Sequence, residues 1–442
     1  MGGSLASGLA PGCCARSQAR RAAPRGWPSR NCRGLVHAGL RPLHLHRALR
    51  AGRPVRRRTD AQGRTAVDRI RRRGRRHRGR HRPRMAGRRD LVAASCGRGF
   101  RGVTHMHPWI RRTLFGLASL VLAAAATFAG VIAFSTPAEV PRLAAGDTLP
   151  GTDSWNRAEI PEVRRVAARD GAPLTYRLYP GRADRAVVLV HGSSGSSISM
   201  HKLAQALQQA GASVYSVSLR GHGGSGTING DVSYRQQLDD DLLDFVQATG
   251  LADPKIHRSL IGFSSGGGFV LRTASGPNRA DFHDYLAISP YISQDSPTTR
   301  PASGGWVSVA VPRVVALSIL DGFGLPWFQG LPVLRFATTA KPSENRTPVY
   351  SFRLAASLQL DRDWRAALGR IDRPTAVVVG SKDELFYAER YGPLFGDLNP
   401  KVSVAVEPGL GHLDMVADGK ACAAVAQLWQ RLAGDDQMRR PQ

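Results

Sequence analysis

Gly262-Phe263-Ser264-Ser265-Gly266 is the stretch on which the reading of this chain turns. It follows the apolar run Ser259-Leu260-Ile261 and precedes Gly268–Ala274, which reads as a helix. A serine hydroxyl is a weak nucleophile. It needs an exposed position and a neighbouring base before it attacks a carbonyl. A sharp strand-to-helix turn provides the exposure. Such a turn has no room for side chains two residues before or after the serine, hence the paired glycines. Ser265 competes as nucleophile, but Phe263 stands two residues before it, so the glycine frame fits Ser264.

Three further motifs follow short apolar runs. His191-Gly192-Ser193-Ser194-Gly195 comes straight after Ala186–Val190, a continuous apolar segment of the kind expected for a strand buried on both faces. A Gly/Ser loop at a strand end can turn its amides inward, and a tetrahedral intermediate needs such donors. The candidate donors are the backbone N–H groups of Ser193 and Ser265. Gly380-Ser381-Lys382-Asp383-Glu384 follows Thr375–Val379, and Gly409-Leu410-Gly411-His412 follows Val402–Val406. Asp383 is the candidate to orient an imidazole, and His412 is the candidate general base. The order serine, acid, histidine agrees with a nucleophile-elbow triad. Glu384 is expected to point elsewhere. His191 is expected to support the donor loop, and His222, in Arg220-Gly221-His222-Gly223, to bond the local backbone. His201, His257 and His283 read most simply as surface or helix residues.

The fragments His191-Gly192, Arg220-Gly221-His222-Gly223, Gly262-Phe263-Ser264-Ser265-Gly266, Gly380-Ser381-Lys382-Asp383 and Gly411-His412 together resemble the α/β-hydrolase superfamily. Within it they look most like the branch of lysophospholipases, monoacylglycerol lipases and serine aminopeptidases. The resemblance covers roughly residues 160–435. It implies hydrolysis of an ester, thioester or amide through an acyl-enzyme on Ser264, without metal or cofactor. The Ser193-Ser194-Gly195-Ser196-Ser197 loop departs from the usual monoacylglycerol lipase pattern, so the substrate stays open.

The periodicities between the motifs give the fold class. Val163–Ala167 and Leu174–Tyr179 flank Asp170-Gly171 and read as a hairpin. His201–Ala210, Tyr234–Gln247 and Val416–Leu432 read as helices; Ala212–Leu219 and Asp284–Ile288 read as strands. This alternation predicts an α/β fold, a mostly parallel sheet with helices on both faces. Residues 291–347 break the rhythm, being rich in Pro, Ser and apolar side chains such as Trp306, Phe323, Trp327 and Phe328. They are expected to form a lid over the carboxyl ends of the strands, within a hydrolase domain spanning 161–435.

The net charge of +29 is concentrated at one end. Residues 1–105 carry 28 Arg, no Lys and only three acids (Asp60, Asp68, Asp90), a formal +25 that leaves +4 for the rest. This segment shows no sustained apolar periodicity to offset the entropy of ordering it, and is expected to be disordered. Three readings stay open: a start of translation at Met85 or Met106, a solvated arm, or a nucleic-acid-binding arm, the last being the least favoured. Thr113–Phe134 is uncharged and long enough to cross a bilayer, with Arg111 and Arg112 before it. Residues 106–136 are therefore expected to be a single-pass anchor, or else a signal segment, with the catalytic domain periplasmic or extracellular. Residues 137–160 read as a linker. Beyond the tail only Cys422 remains, so no intrachain disulfide framework supports the folded part. No Cys/His spacing points to zinc. The expected substrate is a small-molecule or lipid-like carboxylic ester. A non-catalytic binding protein of the same fold, or an amidase or peptidase on the same triad, are the alternatives.

Overall fold

Side chains alternate between the two faces of a strand, so a run without polar positions is stable only when both faces are covered. Val187, Val188, Leu189 and Val190 are all fully buried. The computed structural model describes residues 107–140, 157–301, 305–337 and 346–439, all within one unit, Gly102–Gln442. The expectations for residues 1–105, and for the linker over 141–156, fall outside the described residues.

The strands are β1 (Arg164–Ala167), β2 (Pro173–Tyr179), β3 (Arg182–Val190), β4 (Ala212–Val217), β5 (His257–Phe263), β6 (Asp284–Ile288), β7 (Val307–Val309), β8 (Pro332–Phe336), β9 (Val349–Ser351), β10 (Thr375–Gly380) and β11 (Ser403–Glu407). The helices are α1 (Pro108–Phe134), α2 (His201–Gln209), α3 (Gln237–Ala248), α4 (Ser265–Ser275), α5 (Val311–Gly322), α6 (Phe352–Ser357), α7 (Trp364–Gly369), α8 (Tyr391–Leu398), α9 (Asp414–Ala417) and α10 (Gly419–Arg439).

Eight strands form the main sheet in the order β1-β2-β4-β3-β5-β6-β10-β11. β2 runs antiparallel to β1 and β4, and all other pairs are parallel. The β1–β2 hairpin turns where expected, with Gly171 at φ 78°, a left-handed conformation that glycine adopts without a Cβ penalty. The strand alternation splits the core in two. Leu189, Ile261, Phe263, Ile288 and Val378 meet Leu203 of α2 and Trp429 of α10. Val188, Leu260, Tyr285 and Val377 belong to the other cluster, with Phe245 of α3 and Phe269 of α4. The path from β3 goes to β4 on one side, and then returns to β5 on the other. Ligand crevices in open α/β sheets lie at such a reversal, outside the carboxyl ends of the strands.

The stretch between β6 and β10 is more regular than its composition suggests. It holds a separate antiparallel sheet, β7-β8-β9, together with α5. Its ordered elements also run past residue 347, through β9, α6 and α7. Short strands with few alternations carry little sequence signal.

His257 is placed differently from expectation, and His201 agrees with it only in being helical. His201 does open a helix, α2, yet it is buried with Nδ1 2.9 Å from the Tyr179 hydroxyl. His257 lies in β5, buried, with Nε2 2.5 Å from Asp284 Oδ2. His283 is half-buried and stacks on His257 at 4.7 Å.

α1 is 27 residues long and is almost entirely exposed. Its last turns are the exception. Phe128, Val131 and Ile132 pack onto the core, and buried Arg313 of α5 caps the helix end. Its Nε donates to Ile132 O (2.8 Å) and its terminal nitrogens donate to Ala133 O and Pro332 O (both 2.9 Å). The last carbonyls of a helix have no intrahelical partner, and here a guanidinium supplies one.

Candidate active site

The turn after β5 is set by backbone crowding. A Cβ on Gly262 would stand 2.4 Å from Gly266 O, and one on Gly266 would stand 2.3 Å from His191 O. Between them Ser264 is held at φ 54°, a region that non-glycine residues enter rarely and at a cost. Its amide donates to Ile288 O (2.9 Å), and its carbonyl accepts from Gly268 N and Tyr291 N (both 3.0 Å). These bonds hold the strained residue in place. α4 begins at Ser265, three residues earlier than its composition suggests. Gly267 and Gly268 are poor helix formers but are needed where α4 crosses Pro290 and Tyr291, with Tyr291 O only 2.2 Å from a Cβ at Gly268.

The structure brings Ser264, Asp383 and His412 together, although 148 residues separate the serine from the histidine. His412 Nε2 lies 3.0 Å from Ser264 Oγ, and His412 Nδ1 lies 2.8 Å from Asp383 Oδ2. All three are buried. The other carboxylate oxygen of Asp383 accepts from the amides of Leu385 and Phe386, both at 2.9 Å. Burial pushes the Asp383 carboxyl up. The hydrogen bond and charge of His412 together with the Leu385 amide outweigh it, so it sits below the ordinary carboxylate value. An ionised carboxylate only accepts, so Nδ1 carries the imidazole proton and Nε2 is left to accept from the serine. The ring is wedged between Phe263 (4.7 Å) and Phe386 (5.2 Å). Glu384 does point away from the imidazole: its carboxylate accepts from the His412 backbone amide at 2.9 Å. Asp414 likewise accepts from the Gly411 amide at 2.7 Å. The histidine loop is thus tied down on both sides.

Neither Ser265 N–H, at the start of α4, nor Ser193 N–H donates to any described residue. The two amides that follow Ser193 are engaged. Ser194, at φ 60°, donates its amide to the Tyr350 hydroxyl at 2.6 Å. Gly195 N donates to Gly192 O at 3.2 Å. His191 supports the loop from below: Nδ1 bonds Gly192 O (2.8 Å), and Nε2 accepts from Leu219 N (3.1 Å). Burial holds the His191 pKa down at about 4.

Arg220-Gly221-His222-Gly223 is a pillar under that loop. Arg220 is buried and grips Asp241 through two bonds of 2.7 Å, and it pairs with Asp170 at 2.9 Å. His222 does bond the local backbone, Nδ1 to Arg220 O at 3.1 Å, but it also reaches Tyr350 through Nε2 at 2.6 Å. A backbone carbonyl fixes the donor at Nδ1, so Tyr350 donates to Nε2 and accepts from Ser194 N. The result is a directed chain from loop amide to phenol to imidazole. Sequence reasoning missed Tyr350. It lies in β9, beyond the anticipated insertion, and no local pattern marks it.

The family model described as serine aminopeptidase, S33, matches residues 181–415, more than half of the chain. The chain belongs to this family of α/β-hydrolases. Membership accords with the sheet order, the elbow after β5 and the acid and histidine after β10 and β11, and it makes the chain a serine hydrolase. No curated protein matches the chain. Among solved structures it is similar to a soluble variant of monoglyceride lipase from Saccharomyces cerevisiae, at 18% identity over 64% of this chain and 98% of that one, TM-score 0.47. It is also similar to an esterase from Pyrococcus furiosus (20%, 67% and 98%, TM-score 0.43) and a carboxylesterase from Bacillus subtilis (15%, 62% and 92%, TM-score 0.41).

Proposed function

We propose that this family member hydrolyses a carboxylic ester, lipid-like in character, through an acyl-enzyme on Ser264. The observation that carries the reading is the unbroken relay from Asp383 to His412 to Ser264, with bonds of 2.8 and 3.0 Å. His412 Nε2 takes the hydroxyl proton as Ser264 Oγ attacks the carbonyl carbon. The oxyanion is received by the N–H groups of Ser193 and Ser265, and the dipole of α4 adds to their field. Asp383 stabilises the imidazolium. The imidazolium then returns its proton to the departing alkoxide, and the acyl group stays on Ser264. A water molecule, deprotonated by the same imidazole, releases the acid and restores the serine.

The lipid-like character is supported by α1. Beyond Arg111 and Arg112 near its start the helix is uncharged and apolar, and it is exposed along most of its length. We read it as a single-pass anchor with its N-terminal end cytoplasmic and the hydrolase domain on the far side. The stretch between β6 and β10 is read as the lid over the strand ends, and the pocket of such an enzyme lies beneath it.

Ser264→Ala tests the reading. Turnover of a short-chain activated ester is expected to fall by about four to six orders of magnitude. Labelling by a fluorophosphonate probe is expected to vanish, whereas a binding protein of the same fold would not be labelled at all. Unchanged hydrolysis in Ser264→Ala would remove this serine from the mechanism. Comparing a matched ester and amide decides between esterase and peptidase chemistry.

A further inference from the structure

α5 has an apolar ridge that none of the described residues covers. Val311, Val315, Ile319 and Phe323 follow one another at four-residue intervals, so they lie along one side of the helix, and all four are exposed. The turn after the helix extends the ridge with Trp327 and Phe328, exposed at 59% and 58%. Phe328 is held at φ 63°, a conformation costly for an aromatic residue, and its ring is nonetheless turned outward. The one carboxylate on α5, Asp321, is paired with Arg235 at 2.5 Å and also accepts from Gln329. The ridge therefore presents no uncompensated negative charge.

The position of this ridge relative to α1 is fixed. α1 packs along α5, and Arg313 on α5 caps its last carbonyls. Counted from Thr113, the first residue after Arg111 and Arg112, the hydrocarbon core of a bilayer takes about 20 residues, roughly 30 Å. The contact with α5, at Phe128 to Ala133, therefore falls at the far boundary of the membrane. A helix clamped there lies at the depth of the headgroups and first methylenes. That is where tryptophan and apolar faces of in-plane helices settle.

We propose that α5 and the Phe323–Phe328 turn form a second membrane contact, an in-plane face seated on the outer leaflet beside the spanning helix. This rests on the reading of α1 as an anchor. The face belongs to the inserted segment above the strand ends, so seating it holds that segment against the lipid. An ester dissolved in the same leaflet then reaches the serine without crossing bulk water.

The test uses the full chain reconstituted into phosphatidylcholine vesicles brominated either near the glycerol end or near the methyl end of the acyl chains. The difference in emission between the wild type and Trp327→Phe isolates Trp327. This component is expected to be quenched by the shallow bromines more strongly than by the deep ones. Flotation with the vesicles but no quenching of Trp327 overturns the proposal and leaves the anchor intact. Failure of the full chain to float overturns the anchor and this proposal with it. In either event, hydrolysis of a soluble short-chain ester still reports the serine chemistry. A second measurement uses Val315→Glu/Ile319→Glu, both at exposed positions. The loss of kcat/KM is expected to be about tenfold on a long-chain monoester held in vesicles, and less than about twofold on the soluble ester. Equal effects on the two substrates would count against seating on lipid.

Discussion

Replacing Tyr350 by Phe removes one oxygen and leaves the ring in place. That oxygen serves two partners, Ser194 N–H and His222 Nε2, each at 2.6 Å and both in residues about 1% exposed. Burial pushes the phenol pKa well up, so it remains a donor at every usable pH. The phenylalanine ring fills the same space against Phe336, at 4.7 Å, so the cavity term is small. Two buried polar groups are then left without partners, at roughly 1–3 kcal/mol each. Some local adjustment recovers part of this, and a net loss of about 3 kcal/mol is expected. Urea denaturation reads it as a lower midpoint at an unchanged slope. The activity effect is separate. Deleting an oxyanion donor outright costs about 100- to 1000-fold in kcat. Tyr350→Phe leaves the proposed donor, Ser193 N–H, in place and only loosens the loop that carries it, so kcat is expected to drop about tenfold with KM little changed. A purely structural tyrosine would lower stability and leave kcat alone. A variant within about 0.5 kcal/mol of the wild type would refute the directed chain from Ser194 to His222.

Asp383→Asn is expected to keep the fold and to lower kcat by about 10⁴, because the amide no longer enforces the proton on Nδ1 of His412; steady-state kinetics with a soluble ester check this. Gly266→Ala places a methyl 2.3 Å from His191 O, so the elbow must open, and a loss of about 2–3 kcal/mol in chemical denaturation is expected together with most of the activity. His191 gives a pH signature. Its pKa is held down at about 4 in the folded chain by burial, against about 6.5 unfolded. The unfolded chain therefore takes up the proton first, and stability is lost as pH falls from about 6.5 to 4, by up to roughly 3 kcal/mol. Urea titrations at pH 7.5 and 4.5 should show the loss in the wild type, and a smaller one in His191→Asn. Parallel pH profiles of the two proteins would sink it.

The legible parts of the chain are those where a local rule has a single solution. Gly262 and Gly266 had to be glycine for a tight turn, and short apolar runs led into Ser264, Asp383 and His412, so the relay could be assembled from spacing and order. The illegible parts depend on partners far away in the chain. His257 sits in a short run that names neither a strand nor a carboxylate partner, and only the β5–β6 pairing supplies Asp284. His201 opens an amphipathic helix, and its burial against Tyr179 follows from packing across β2. Tyr350 meets Ser194 across 156 positions. Gly267 and Gly268 argued for a later helix start, and it took the crossing of Pro290 and Tyr291 to override their poor propensity.

β6 and β10 are immediate neighbours in the sheet, although more than eighty residues separate them in the chain. The chain leaves the sheet at one point and re-enters it beside that point. Closing a long excursion costs only slightly more than closing a short one, so chain entropy sets little limit on its length. None of Ser264, Asp383 and His412 is on it. The reacting groups thus stay on the framework, and the excursion reaches them through Tyr291, which donates to Ser264 O, and Tyr350, which accepts from Ser194 N, so a grafted excursion must keep these two tethers.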